Sequence, residues 1–172
     1  MSECLITDNI LVAFETMHYF NKISSGKVGE MALKLDMSKA FNHVEWRCLE
    51  GIMLKMGFAT KWVNLMMQCI TSITYSVRIN GQSRGHITPS CGLRQGDPIS
   101  PFLFLLCAEG LSALLHQSTS QGLLRGVSTC PLGPRISHLF FANDSIIFCL
   151  ATLEQCNHLE HLLTIYEQKY FK

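Results

Sequence analysis

Charge is the first scarcity in this sequence. Charged residues make up 16% of the 172-residue chain, and the formal net charge is +1. A free-standing nucleic-acid binder normally carries a clear basic excess to meet phosphate, so composition by itself argues weakly against that role. Eight cysteines, at positions 4, 48, 69, 91, 107, 130, 149 and 156, form no CxxC pair, which removes the usual spacing of a zinc site. Several stand in apolar runs, such as Cys107 in FLFLLCA and Cys149 in IIFCL, where a thiol acts as a small hydrophobe. His158 and His161 lie one helical turn apart, but two imidazoles without a third ligand read as a solvated helix face. The first 30 residues hold acidic and polar breaks throughout and lack the apolar core of a secretory signal. The longest uninterrupted apolar run, 102–108, is too short to span a bilayer. These absences predict a reducing intracellular compartment, cytoplasm or nucleus, with no membrane partner.

Apolar residues, at 48%, are plentiful. A chain of this length can bury a real core in one domain. The excess fits either a leucine-rich core or a face that neighbouring chain covers.

Periodicity predicts a helix over 8–21 with Asp8 as N-cap, a turn at Ser24-Ser25-Gly26, and a buried strand over 31–36. Two helices follow over 44–57 and 60–72, the first ended by Gly57 and the second capped by Thr60. Alternation over 75–79, then Asn80-Gly81, predicts a tight hairpin returning over 82–88. Residues 89–101 read as a loop, and 100–118 as a long apolar helix. Strands are expected near 123–128 and 136–142, a second tight turn at Asn143-Asp144, a strand over 145–150 and an amphipathic helix over 152–168. Helices mixed with antiparallel hairpins make an α+β domain.

Aspartate is rare, with only Asp8, Asp36, Asp97 and Asp144. Asp36 closes an apolar strand and Asp144 stands at a hairpin tip. Carboxylates at such places can converge on Mg²⁺, a hard cation that takes oxygen ligands and keeps phosphate oxygens as partners. Spacing alone favours the plainer reading, with Asp36 capping the next helix and Asp144 a turn residue.

A resemblance shifts that balance. MALKLDMSKAFNHVEW (31–46), GLRQGDPISPFLF (92–104) and HLFFANDSIIFC (138–149) resemble, in order and separation, motifs A, B and C of reverse transcriptases. Together with LITDNILVAFE (5–15) they are similar to the polymerases of LINE-type, non-LTR retrotransposons abundant in plant genomes. The resemblance covers essentially the whole chain, 1–172. It implies a palm, an antiparallel sheet backed by helices. It also implies addition of deoxynucleotides to a DNA primer 3′ hydroxyl on an RNA template, with two Mg²⁺ ions. Asp36 then matches the first metal carboxylate, and the Met37 carbonyl a further ligand. Lys39, Ala40 and Phe41 match the stretch that holds the incoming dNTP. Phe41, five residues after Asp36, is expected under the sugar, where it excludes a 2′ hydroxyl; its plainer reading is a core phenylalanine. Gln95 and Gly96 match the loop along nucleotide and template, where glycine lets backbone approach closely. Arg94 reads equally as a phosphate contact or a solvated side chain, and Asp97 as a helix-end or turn residue.

The departures from the family pattern carry as much meaning. Its third motif reads Phe-Ala-Asp-Asp, where this chain has Phe141-Ala142-Asn143-Asp144. Asn143 thus takes the place of the second metal carboxylate, and Asp144 that of its less critical neighbour. Asparagine offers a carbonyl oxygen without charge, and two-metal transfer needs anionic ligands. One unit of attraction lost at about 4 Å, in an effective dielectric near 20, forfeits roughly 4 kcal/mol. If borne by the transition state, that is about a thousandfold in rate. Relative to the family, the chain starts after the basic fingers segment and stops at YEQKYFK, before a lysine-bearing fourth palm motif and the thumb. The expectation is a partial, degenerate copy with remnants of fingers, no thumb, and much of the nucleic-acid track in the missing segments. The competing expectation is a non-catalytic relic that at most binds nucleic acid or another protein chain.

Overall fold

The computed structural model describes residues 6–22, 29–36, 40–130, 133–141 and 144–171. Its elements run α1 (Ile6–Lys22), β1 (Glu30–Asp36), α2 (Ala40–His43), α3 (Trp46–Lys55), α4 (Thr60–Thr71), β2 (Tyr75–Ile79), β3 (Gln82–Ile87), α5 (Ser100–Ser120), β4 (His138–Phe141), β5 (Asp144–Leu150) and α6 (Leu153–Tyr170). This is an α+β fold with an antiparallel sheet packed on helices. The chain forms two compact units, one from residues 1–38 and 111–165, the other from 39–110 and 166–172.

The first unit is built on the sheet β1-β5-β4, antiparallel throughout. Its middle strand, β5, is the most buried, with Ile147, Phe148 and Cys149 in the core. Successive side chains of a strand leave opposite faces. On one face Phe148 meets Phe20 of α1 edge-on, ring centroids 6.2 Å apart. On the other, His138 of β4 bonds Ser112 of α5 at 3.0 Å, and Met31 of β1 meets Cys156 of α6 at 3.7 Å. The sheet is therefore sandwiched between α1 and the α5–α6 side. A register slip of one residue would throw Ile147 and Cys149 to the wrong face, so burial fixes the strand pairing.

In the second unit Val44, Leu49, Met53, Val63, Leu103 and Phe104 are buried. The Tyr166 hydroxyl donates to the Cys107 carbonyl at 3.0 Å, which satisfies a phenol that burial would otherwise penalise. Helix α3 ends where the amides of Gly57 and Phe58 turn back to Leu54 and Met53, both at 3.1 Å, a Schellman stop. In the β2–β3 hairpin Asn80 and Gly81 have φ of 49° and 81°, the paired positive values that a two-residue turn of this hand requires.

Several expectations need correction. Helix α1 starts at Ile6, so Asp8 lies inside its first turn. The helix expected over 44–57 is α3, which starts only at Trp46 because Val44 bridges to Phe171; the short α2 before it was not expected. Ala59, not Thr60, is the N-cap of α4, with no side-chain bond. Residues 123–128 form no strand; only Val127 bridges, to Ile136. His158 is half-buried and bonds Ser118 at 3.1 Å instead of facing solvent. Helix α5, 21 residues with a mean hydropathy of 1.2, is long and apolar enough by composition to cross a bilayer, which an uninterrupted-run test misses. Its buried Leu103, Phe104, Cys107, Leu111 and Leu115 make it a core helix. The turn at Ser24-Ser25-Gly26 lies outside the described residues.

Candidate active site

The strand pairing that buries Ile147 also sets Asp36 directly opposite Asp144, the last β1 partner pair. Opposed residues of an antiparallel pair point to the same face, with Cβ atoms roughly 4.5–5.5 Å apart. Asp36 is exposed and Asp144 half-buried. Asp144 is also the partner of Phe141 on β4, so it belongs to the ladder and not to the turn expected at Asn143-Asp144. Asp144 opens the returning strand and is not the tip. Like charges placed opposite each other destabilise a sheet. Here Lys34 Nζ offsets part of that at 3.4 Å from Asp144 Oδ2. Two open carboxylates on one face are a donor set that fits a hard cation, because Mg²⁺ usually takes one or two carboxylates and keeps other positions for water and phosphate. Among the described residues no group of three or more His, Cys, Asp or Glu could hold a metal.

Of the other expected site residues, Met37, Lys39 and Asn143 lie outside the described residues, and Ala40 is the first residue of α2. Phe41, Gln95 and Gly96 belong to the second unit. There the end of the first motif and the start of the second are clasped together. The Phe41 carbonyl accepts the Leu93 amide at 2.6 Å, and the Val44 carbonyl accepts the Gly92 amide at 2.8 Å. The Trp46 indole donates to the Gly92 carbonyl at 2.7 Å. Gly92 has φ +90°, and a Cβ there would stand 2.6 Å from the Asn42 carbonyl oxygen. Only glycine fits this position. The Phe41 ring is half-buried and stacks on Phe104, centroids 4.7 Å apart and 18° from parallel.

Past the clasp, Arg94, Gln95 and Gly96 are exposed, and Gly96 has φ +85° with open space around it. Asp97 Oδ1 accepts the Ile99 amide at 2.9 Å and its carbonyl accepts the Ser100 amide at 3.2 Å, which makes it the turn residue that starts α5. A cleft of about 230 Å³ is lined by Trp46, Tyr75, Pro89, Cys91, Leu93 and Arg94 among others. Sequence reasoning gave no role to Lys34, Trp46 or Gly92. Lys34 and Asp36 alternate onto one strand face, a signal that was legible; the partner across the ladder was not.

Behind the sheet, His138 bonds Ser112 through Nε2 at 3.0 Å and Ser137 through Nδ1 at 2.9 Å. Burial, and then nearby His116, pulls its pKa down to about 4, so the ring is neutral near pH 7. Burial pushes the Cys107 and Cys149 thiols up to about 12 and about 11, which leaves them unreactive core groups.

Residues 5–170 match the sequence family described as reverse transcriptase (RNA-dependent DNA polymerase). Over 67 residues, 39% of this chain and 55% of the other, the sequence is 54% identical to an uncharacterized mitochondrial protein of Arabidopsis thaliana. It is 28% identical over 115 residues, 67% of this chain, to the retrovirus-related Pol polyprotein from type-1 retrotransposable element R2 of Popillia japonica. It is 27% identical over 112 residues, 65% of this chain, to the transposon TX1 uncharacterized 149 kDa protein of Xenopus laevis. The chain spans about half the length of the first of these and 18% and 8% of the other two.

Proposed function

We propose, for a chain that belongs to the reverse transcriptase (RNA-dependent DNA polymerase) family, that it is a partial palm of a LINE-type retrotransposon polymerase, plant-like and impaired in catalysis. The observation that carries this reading is the register that sets Asp36 opposite Asp144 on one sheet face. The reaction is template-directed: along an RNA template, a DNA primer 3′ hydroxyl attacks the α-phosphorus of a dNTP, the bond to the β-phosphate breaks and pyrophosphate leaves. Asp36, the Met37 carbonyl, Asn143 and Asp144 hold the cations. Bound there, Mg²⁺ supplies Lewis-acid stabilisation to the attacking and leaving oxygens. Lys39 and Ala40 meet the triphosphate, Phe41 the sugar, and Gln95 and Gly96 the base pair being formed. Fingers and thumb segments of a longer polymerase complete the channel for template and primer, in an intracellular compartment.

Asn143 supplies an oxygen but no charge where the family's second metal carboxylate stands, and the roughly thousandfold penalty of that change follows from Coulomb attraction at close range. The test transplants residues 29–150 into an intact polymerase of this family, with Asn143 or with Asn143→Asp, and measures primer extension in Mg²⁺ and Mn²⁺. The aspartate version is expected to run about a thousandfold faster. Equal rates overturn the impairment. If neither chimera extends while the parent enzyme does, the palm reading falls.

A second reading, a non-catalytic relic that binds nucleic acid or another protein chain, draws support from the open apolar residues of α1, where Phe14 is 72% exposed. Filter binding against salt separates its two forms: a steep salt slope means phosphate contacts, and a flat one directs attention to protein partners.

A further inference from the structure

Lys34 is the residue at the acidic end of the sheet that neither the motif pattern nor the proposed reaction uses. It pairs in register with Ile146, one step along the same face from the Asp36–Asp144 pair. A long side chain at that diagonal reaches across to the neighbouring strand, and Lys34 Nζ does so, 3.4 Å from Asp144 Oδ2. Two residues along β1 and on the same face stands Asp36. One ammonium therefore reaches Asp144 on the face that Asp36 shares, with 63% of the Lys34 side chain and 46% of that of Asp144 open to solvent.

We propose that Lys34 is a tethered counter-ion of this site. It occupies Asp144 when no metal is bound, and a divalent cation must displace it to use that oxygen. The inference rests on the reading of Asp36 and Asp144 as metal ligands. Its physical basis is that a cation has two effects here. It relieves repulsion between the opposed carboxylates, and it repels a second cation arriving at the same oxygens. Lys34 thus holds the sheet end together without metal and lowers the affinity for metal. Lys34 is a positioning residue in this scheme, since it acts on the reaction only through the carboxylates.

Because Lys34 is largely exposed, its replacement leaves the core untouched. The test measures Mn²⁺ affinity of the full chain by the electron paramagnetic resonance signal of free Mn²⁺. The variants are Lys34→Met, Lys34→Gln, Lys34→Arg, Asp36→Asn, Asp144→Asn and Lys34→Met with Asp144→Asn. Removing the ammonium is expected to tighten Mn²⁺ binding roughly three- to tenfold, the range for one partly screened surface charge beside a divalent ion. Lys34→Arg keeps wild-type affinity, and the gain disappears in the Asp144→Asn background. Unchanged binding in both neutral variants, with Asp36→Asn still abolishing it, overturns the role of Lys34 and leaves the metal site standing. A gain that persists without the Asp144 carboxylate also overturns it, since the effect is then a diffuse charge. No Mn²⁺ binding in any variant removes the metal reading itself, and the counter-ion with it.

Discussion

The acidic end of the β1-β5 ladder and the loop that begins at Gly92 are held by different physics. At the sheet end, two carboxylates face each other in the open, steadied by one exposed ammonium and by strand pairing set elsewhere in the core. At the loop, the amides of Gly92 and Leu93 and the indole of Trp46 close three hydrogen bonds, and the Asn42 carbonyl leaves no room for a Cβ. The first arrangement concentrates charge that the fold alone would not choose. The second spends backbone geometry to fix a loop in one shape. The proposed metal ligands thus sit where substitution is expected to cost the fold little, and the element that presents a loop sits where it is expected to cost most.

Gly92→Ala is the sharpest way to break that contrast. A strained φ and an overlap with backbone predict a loss of roughly 3 kcal/mol, read by urea unfolding; a loss under about 1 kcal/mol would mean that the clasp yields easily. Trp46→Phe removes the indole donor and leaves the Gly92 carbonyl unpaired, for an expected cost of roughly 2 kcal/mol. Next comes pH. The folded pKa of His138, about 4, lies below its ordinary 6.5. Above pH 6.5 neither state binds the proton; below it the unfolded chain does and the folded one does not. Stability is therefore lost as pH falls from about 6.5 to about 4 and no further below. Discounted for its partial exposure, the effect is roughly 1 kcal/mol. His138→Gln should remove that slope from thermal melts, and an unchanged slope would assign it to other groups. Smallest of all, Asp36→Asn should shift stability by no more than about 0.5 kcal/mol in either direction, since it relieves like-charge repulsion and touches no core. A large loss there would make Asp36 a structural residue and erase the contrast.

Much of this was legible in the chain. Helices α1, α4, α5 and α6 follow their apolar periodicity to within about two residues, the usual uncertainty of helix ends. The Asn80-Gly81 hairpin was announced by its own turn chemistry. What failed did so for nameable reasons. Residues 123–128 carry enough apolar character for a strand, but only Val127 finds a backbone partner, and propensity without pairing makes no sheet. The helix expected over 44–57 begins two residues late, at Trp46, because the Val44 backbone pairs with Phe171 and Gly92, a tertiary demand that periodicity cannot announce. Asp144, expected in a tight turn, opens β5 instead, because it is claimed by two strands at once.

The candidate site divides along the same line. Asp36 and Asp144 drew notice through scarcity and position alone, and the three ordered motifs pointed to the family that residues 5–170 match. Their face-to-face register, the ammonium that reaches one of them and the carbonyl that forbids a side chain at Gly92 had no local signature.

The order of residues by itself determined the helices, the tight hairpin, the apolar middle strand and the chemistry on offer, because those follow from neighbours a few positions apart. Only the tertiary structure decided the register that sets Asp36 opposite Asp144 and the ammonium that reaches Asp144. Partners more than a hundred residues apart are chosen by the burial of the whole sheet, and no local stretch contains that choice.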